Sequence, residues 1–126
     1  MTAALATLNV RLADAINGPE GGFSVSPLTG HDVRSGYAVS LHPDRERQIG
    51  GKVTPEDIRD FAYDNAAVLM AGGVVLGGWR DDNGVSYLDI TTIVYDREEA
   101  LALGRKYGQI AIWDFARGAS VKVQGE

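Results

Sequence analysis

The stretch VVLGGWRDDNGVSYLDITTIVYD, residues 74–96, decides how the rest of the chain is arranged. Two runs rich in β-branched and aromatic residues flank Asp81-Asp82-Asn83-Gly84, and Asn-Gly is the pair that best tolerates the positive backbone angles of a type I′ turn. The expectation is a hairpin whose loop is either Asn83-Gly84 or the whole of Asp81 to Gly84. Both loops give the same parity. Val75, Gly77 and Trp79 would then share a face with Leu88, Ile90, Thr92 and Val94. Val74, Leu76 and Arg80 would share the other with Tyr87, Asp89, Thr91 and Ile93. A three-residue loop would reverse the assignment, because one residue of slip carries every side chain across the sheet.

Toward the C-terminus, Asp96 has the position of a helix cap and Glu99 completes a capping box, both acids favouring the positive end of the helix. Ala100, Leu103, Gly104 and Tyr107 form its inner stripe, and Gly108 ends it in the left-handed conformation that a helix terminus wants. From Gln109 to Phe115 a strand alternates, with Ile110 and Ile112 on one side and Ala111, Trp113 and Phe115 on the other. A bend at Ala116-Arg117-Gly118 returns a last strand, Ser120 to Val123.

Toward the N-terminus, TPED gives a helix start: Thr54 caps, Pro55 takes the first helical position and Asp57 closes an acidic capping box. This helix is expected from Pro55 to Met70, with Ile58, Phe61, Ala62 and Leu69 inward, before Gly72-Gly73. HPDRERQIGGK, residues 42–52, reads as a polar connection, and GYAVSL, residues 36–41, as a strand. Pro19 to Gly36 is loop-like with a short strand near Phe23 to Ser26. Leu5, Leu8, Leu12 and Ile16 fall on one stripe of an N-terminal amphipathic helix stopped by Asn17-Gly18-Pro19.

The expected fold is α+β: an antiparallel sheet with two helices on one face, a ferredoxin-like split β-α-β core, plus an N-terminal helix and a C-terminal strand. At 126 residues the chain fits one domain, with residues 22–126 as the core and 1–18 as a helix that can stand as an appendage. An apolar share of 44 % is that of a globular protein rather than a disordered one. Net charge is -5 without a basic cluster, which makes nucleic acid or an anionic membrane surface poor partners. The longest apolar run, Ala66 to Trp79, is too short for a span and carries four glycines. No signal-peptide pattern opens the sequence, and the absence of cysteine excludes disulfides and thiolate chemistry. Together these lead to an expectation of a cytoplasmic protein.

No motif names a reaction. If helices cover the Ile90 and Val94 face, the opposite face presents Arg80, Tyr87 and Asp89, the leading candidate site. Its plainer reading is a surface ion pair between Arg80 and Asp89. Trp113 is either core or a contact with another molecule. Asp114 is either a partner for Asp89 in metal or acid–base work or simply the cap of the bend that follows. Arg45 and Arg47, in the charge-alternating DRER, are either a solvated surface or, with Arg80, a clamp for phosphate. His31 and His42 lack a third ligand at zinc spacing, and the glycines of GGVVLGG lack the lysine and hydroxyl of a phosphate loop. Neither a metal nor a cofactor is expected.

GYAVSL, TPEDIRDF, LGGW, SYLDIT and above all DREEALALGRKYGQIAIWD resemble small uncharacterised proteins encoded by phages and mobile elements of actinobacteria, over about residues 22–118. The resemblance implies an accessory protein of a bacterial cytoplasm acting on a host factor. The resulting expectation is a non-catalytic binding protein that engages a host protein or a second copy of itself through the uncovered sheet face and the 42–52 loop. A small-ligand binder for phosphate or nucleotide is the alternative, and a metal-dependent hydrolase built on Asp89 and Asp114 the third.

Overall fold

The computed structural model describes residues 3–123, with side chains from Thr7 onward. The elements are α1 (Ala3–Asn17), β1 (Gly22–Val25), β2 (Tyr37–Val39), β3 (Arg47–Gly50), α2 (Pro55–Asp64), α3 (Ala66–Met70), β4 (Val74–Arg80), β5 (Val85–Val94), α4 (Arg97–Lys106), β6 (Ala111–Asp114) and β7 (Ala119–Lys122). A 3-10 turn occupies Pro43–Arg45. The fold is α+β. Seven strands form one sheet in the order β1-β4-β5-β2-β6-β7, and β3 pairs with β5 on the edge that β5 shares with β2. Every pairing is antiparallel.

Helices cover one face of this sheet. Leu12 and Ile16 of α1, Ile58 and Phe61 of α2 and Leu69 of α3 pack on Val25, Leu76, Leu88 and Ile90. Ala100 of α4 packs on Val39, Val94, Ile112 and Val121. Ile90 and Val94 lie an even number of residues apart on β5, so both clusters sit on the same side. Burying a side chain the size of Leu, Ile or Phe is worth about 1.5–3 kcal/mol, and these positions fix which face of each strand looks inward. The helix stripe holds at Leu12 and Ile16; the side chain of Leu5 lies outside the described residues.

Local signals explain the helix starts. Thr54 Oγ1 accepts from Asp57 N at 3.1 Å and Asp57 Oδ2 accepts from Thr54 N at 2.9 Å, the complete capping box. At α4 Asp96 Oδ2 accepts from Glu99 N at 2.9 Å, the forward half of the expected box. The helix expected over 55–70 is broken at Asn65, whose buried amide donates to Phe61 O at 2.8 Å and accepts from Arg45 Nη1 at 2.9 Å. Within the polar connection a strand appears, β3. Its cause is β5, ten residues long, whose first four residues would otherwise leave backbone groups of one edge unpaired.

The 74–96 hairpin forms with the opposite parity to that expected. Arg80 pairs with Ser86, Trp79 with Tyr87, Gly77 with Asp89 and Leu76 with Ile90. The loop between the closing residues Asp81 and Val85 is Asp82-Asn83-Gly84. Gly84 N donates to Asp81 O at 3.1 Å, Asp81 N donates to Val85 O at 2.8 Å, and Gly84 sits at φ 82°. This is a type I turn followed by a left-handed residue, the three-residue hairpin. Asp81 selects it: its Oδ1 accepts from Asn83 N at 2.9 Å and Val85 N at 3.0 Å, bonds that hold the chain in the type I shape. Trp79 therefore looks away from the helices, and Leu76 and Arg80 look toward them.

Candidate functional site

The sheet face without helices is concave, and a trough of about 700 Å³ runs across it. Its floor is short-chained: Gly22 of β1, Gly77 of β4 and Ala38 of β2. Trp79 stands at one end, and Trp113 with Phe115 at the other. These are the chain's two tryptophans, 47 % and 41 % exposed. Asp89 and Thr91 of β5 lie between them, and the hydroxyl-bearing Ser24 lines the trough from β1.

Each wall is positioned by its strand. Trp79 and Tyr87 are direct cross-strand partners on β4 and β5, and their rings stack with centroids 4.4 Å apart and planes 17° from parallel. Tyr87 Oη donates to Asp81 Oδ2 at 2.9 Å, so the carboxylate that shapes the loop also anchors the aromatic pair. The backbone N–H of Val85 is the main influence holding Asp81 below its ordinary pKa, and the bond to Asp81 raises that of Tyr87. Trp113 reaches the same face through pairing of β6 with Ala38.

Asp89 is the electrostatic outlier. Its carboxylate lies over Gly77, where any Cβ would overlap Oδ1. Burial, and secondarily the charge of Glu46, raise its pKa from 3.8 to about 6. Among the hydrogen bonds and ion pairs of the described residues, none includes its carboxylate. A desolvated carboxylate without a partner is unfavourable by several kcal/mol in a fully dry interior and by less here, where the trough opens to solvent.

Tyr87, Asp89 and Trp113, three of the residues singled out by sequence, share this face. Four do not join them. Arg80 lies on the covered side, donating through Nη1 to Ile16 O at 2.9 Å and Nη2 to Gly18 O at 3.1 Å, where it closes the end of α1. The Arg80–Asp89 pair of the plainer reading therefore does not form. Arg45 and Arg47 lean on the end of α2: Arg45 bonds Asn65, while Arg47 pairs with Asp64 at 2.9 Å and lies 5.3 Å over the Phe61 ring. The three guanidiniums do not converge. Asp114 is buried on the covered side, and its Oδ1 accepts from Ala116 N at 3.1 Å and Arg117 N at 3.2 Å, capping the bend. Asp89 and Asp114 are thus on opposite faces, and among the described residues no three His, Asp or Glu side chains converge to hold a metal.

Trp79 and Gly77 line the site and Glu46 acts on Asp89 by its charge, and none of the three was singled out from sequence. The signal for Trp79 was present in Asp81, an Asx-turn former one residue ahead of the loop.

Fold and site define an α+β protein with helices on one side of an antiparallel sheet and an aromatic-walled, acid-floored trough on the other. Among the described residues no helix is long and apolar enough to cross a membrane. Compared with family models, curated proteins and solved structures, the chain matches none of them.

Proposed function

We propose that this is a non-catalytic binding protein whose recognition surface is the bare sheet face between Trp79 and Trp113. One observation carries the reading: two half-exposed tryptophans and a stacked tyrosine gather on the face that no helix covers. Tryptophan and tyrosine are the residues most enriched where partners bind tightly, and a concave apolar hollow with few polar groups is the usual form of a binding site. The partner we favour is a host protein, with a second copy of the chain as the other candidate, and the resemblance to phage and mobile-element proteins supports a setting in a bacterial cytoplasm. The neighbour order β6-β2-β5-β4, with α2, α3 and α4 on one side, supports reading the middle of the chain as a ferredoxin-like split β-α-β unit.

The phosphate reading has less support, since Arg45, Arg47 and Arg80 are each engaged within the protein. The test uses the tryptophans themselves. Partner capture from host lysate, and self-association by sedimentation, are compared for the wild type and a Trp79→Ala/Trp113→Ala double variant. Loss of association with folding retained supports the surface; unchanged association removes it.

A further inference from the structure

We propose that the trough seats a basic side chain of the partner protein, a lysine or arginine, with its cationic head between the Asp89 carboxylate and the Trp79 ring. The inference rests on the bare face being the binding surface and names the chemistry that face selects.

Charge is the first argument. Among the described residues Asp89 has no ion-pair partner; Glu46, in the segment before β3, acts on it with like charge, and Glu20, in the loop before β1, is the other charged residue that lines the trough. The arginines with ion pairs spend them elsewhere, Arg11 and Arg34 on Asp32, Arg47 on Asp64 and Arg59 on Asp60. The register puts Lys122 on this face, but on β7, three strand spacings or roughly 14 Å from β5. A ligand cation would supply the charge that the protein withholds.

Shape is the second. Trp79 flanks Gly77, the residue opposite Asp89, so Trp79 and Asp89 are diagonal neighbours on one face, their backbone positions on the order of 7 Å apart by sheet geometry. An ammonium or guanidinium between them meets the carboxylate on one side and an aromatic ring on the other, the arrangement that favours cations over neutral groups. Gly77 leaves its place to the carboxylate, and the alkyl stem can run along the short-chained floor toward Thr91 and Ala38.

The test is a titration of the ¹⁵N-labelled full chain with N-acetyl-lysine amide, N-acetyl-arginine amide and the neutral N-acetyl-norleucine amide, following the two indole N–H signals. Concentrations up to about 50 mM allow for dissociation constants in the millimolar range. The expected result is a saturable shift at Trp79 with at least one of the two cations, weakened about tenfold or more by Asp89→Asn and by norleucine in place of lysine. Tyr87, held above its ordinary value of 10.0, stays neutral over this range, so binding should strengthen as the Asp89 carboxyl ionises with pH rising through about 6. Norleucine binding as well as lysine would overturn the cation assignment while leaving the face as a binding surface. An unmoved Trp79 signal with every probe would also overturn it. Loss of partner capture in Trp79→Ala/Trp113→Ala is a separate readout, so the fates of the surface and of the cation assignment are distinguishable.

Discussion

Replacing Asp89 by asparagine should make this protein more stable at neutral pH. The side chain keeps its shape and loses a charge held against desolvation. A carboxyl moved from 3.8 to about 6 has lost about 3 kcal/mol of its preference for the ionised form. Solvent in the open trough screens part of this, so the expected gain is roughly 1–3 kcal/mol. For a chain of 126 residues, with an unfolding entropy of about 2.1 cal/mol/K per residue, that is roughly 4–12 °C in Tm. The sign follows from proton binding. The folded state holds the Asp89 proton more tightly than the unfolded state, so this group's contribution is most favourable below about pH 4 and is lost as pH rises through about 6. Protonated aspartate and asparagine are near equivalents, so the variant's advantage should be small at pH 4, grow between 4 and 6, and level off above 7. Urea denaturation of both proteins across pH 4–8 measures it, and the difference isolates Asp89 from all other titrating groups. A gap that is independent of pH, or a variant less stable at pH 7.5, would refute the reasoning.

Arg80→Ala should destabilise by about 1.5–3 kcal/mol, through loss of its bonds to Ile16 O and Gly18 O, while leaving indole shifts on ligand titration unchanged; altered titration would return Arg80 to the site. Gly104→Ala offers an opposed pair of effects. Helix propensity alone predicts a gain of about 1 kcal/mol, but the added Cβ would stand 2.8 Å from Val123 Cγ2 and 3.2 Å from Ile112 Cγ2. Overpacking of about 1–3 kcal/mol should win, and a raised Tm would show that the side chains of Ile112 and Val123 yield freely. Thr54→Ala should remove one half of the α2 capping box and about 1 kcal/mol, read as a lowered urea midpoint with an unchanged slope.

Much of the fold could be read from short-range chemistry because its signals are short-range. Thr54-Pro55 and Asp96 name helix starts by where their side chains must bond, and Gly108 at φ 69° ends α4 with Gln109 N donating back to Gly104 O. What failed to show was long-range or ambiguous locally. RQIG carries no strand signal of its own, and β3 exists because β5 outruns β2. The hairpin depended on a competition between two local rules. Asn83-Gly84 prefers a two-residue turn, whereas Asp81 offers its carboxylate to the amides of Asn83 and Val85, and the second rule prevails. The site was half legible for that reason: β5 residues kept their expected faces, since the apolar stripe Leu88-Ile90-Val94 assigns them, while every β4 residue changed sides.

That change gives LGGW its meaning. Gly77 and Gly78 point to opposite faces of β4, and each is occupied from its own side. A Cβ at Gly78 would meet Phe23 Cε2 at 2.6 Å and Ile16 Cδ1 at 3.1 Å, so α1 and β1 press against bare backbone on the covered face. On the bare face the space over Gly77 is taken by the Asp89 carboxylate. A side chain at Gly78 would push α1 off the sheet; one at Gly77 would expel the carboxylate and raise the floor between the tryptophans. Consecutive glycines cost strand stability through lost packing and extra chain entropy. The covered face recovers that cost in close helix packing. The bare face recovers nothing within the folded chain, because what it admits is an unpaired charge. A strand thinned on both sides, with return on only one, is the pattern expected where something outside the chain completes the second.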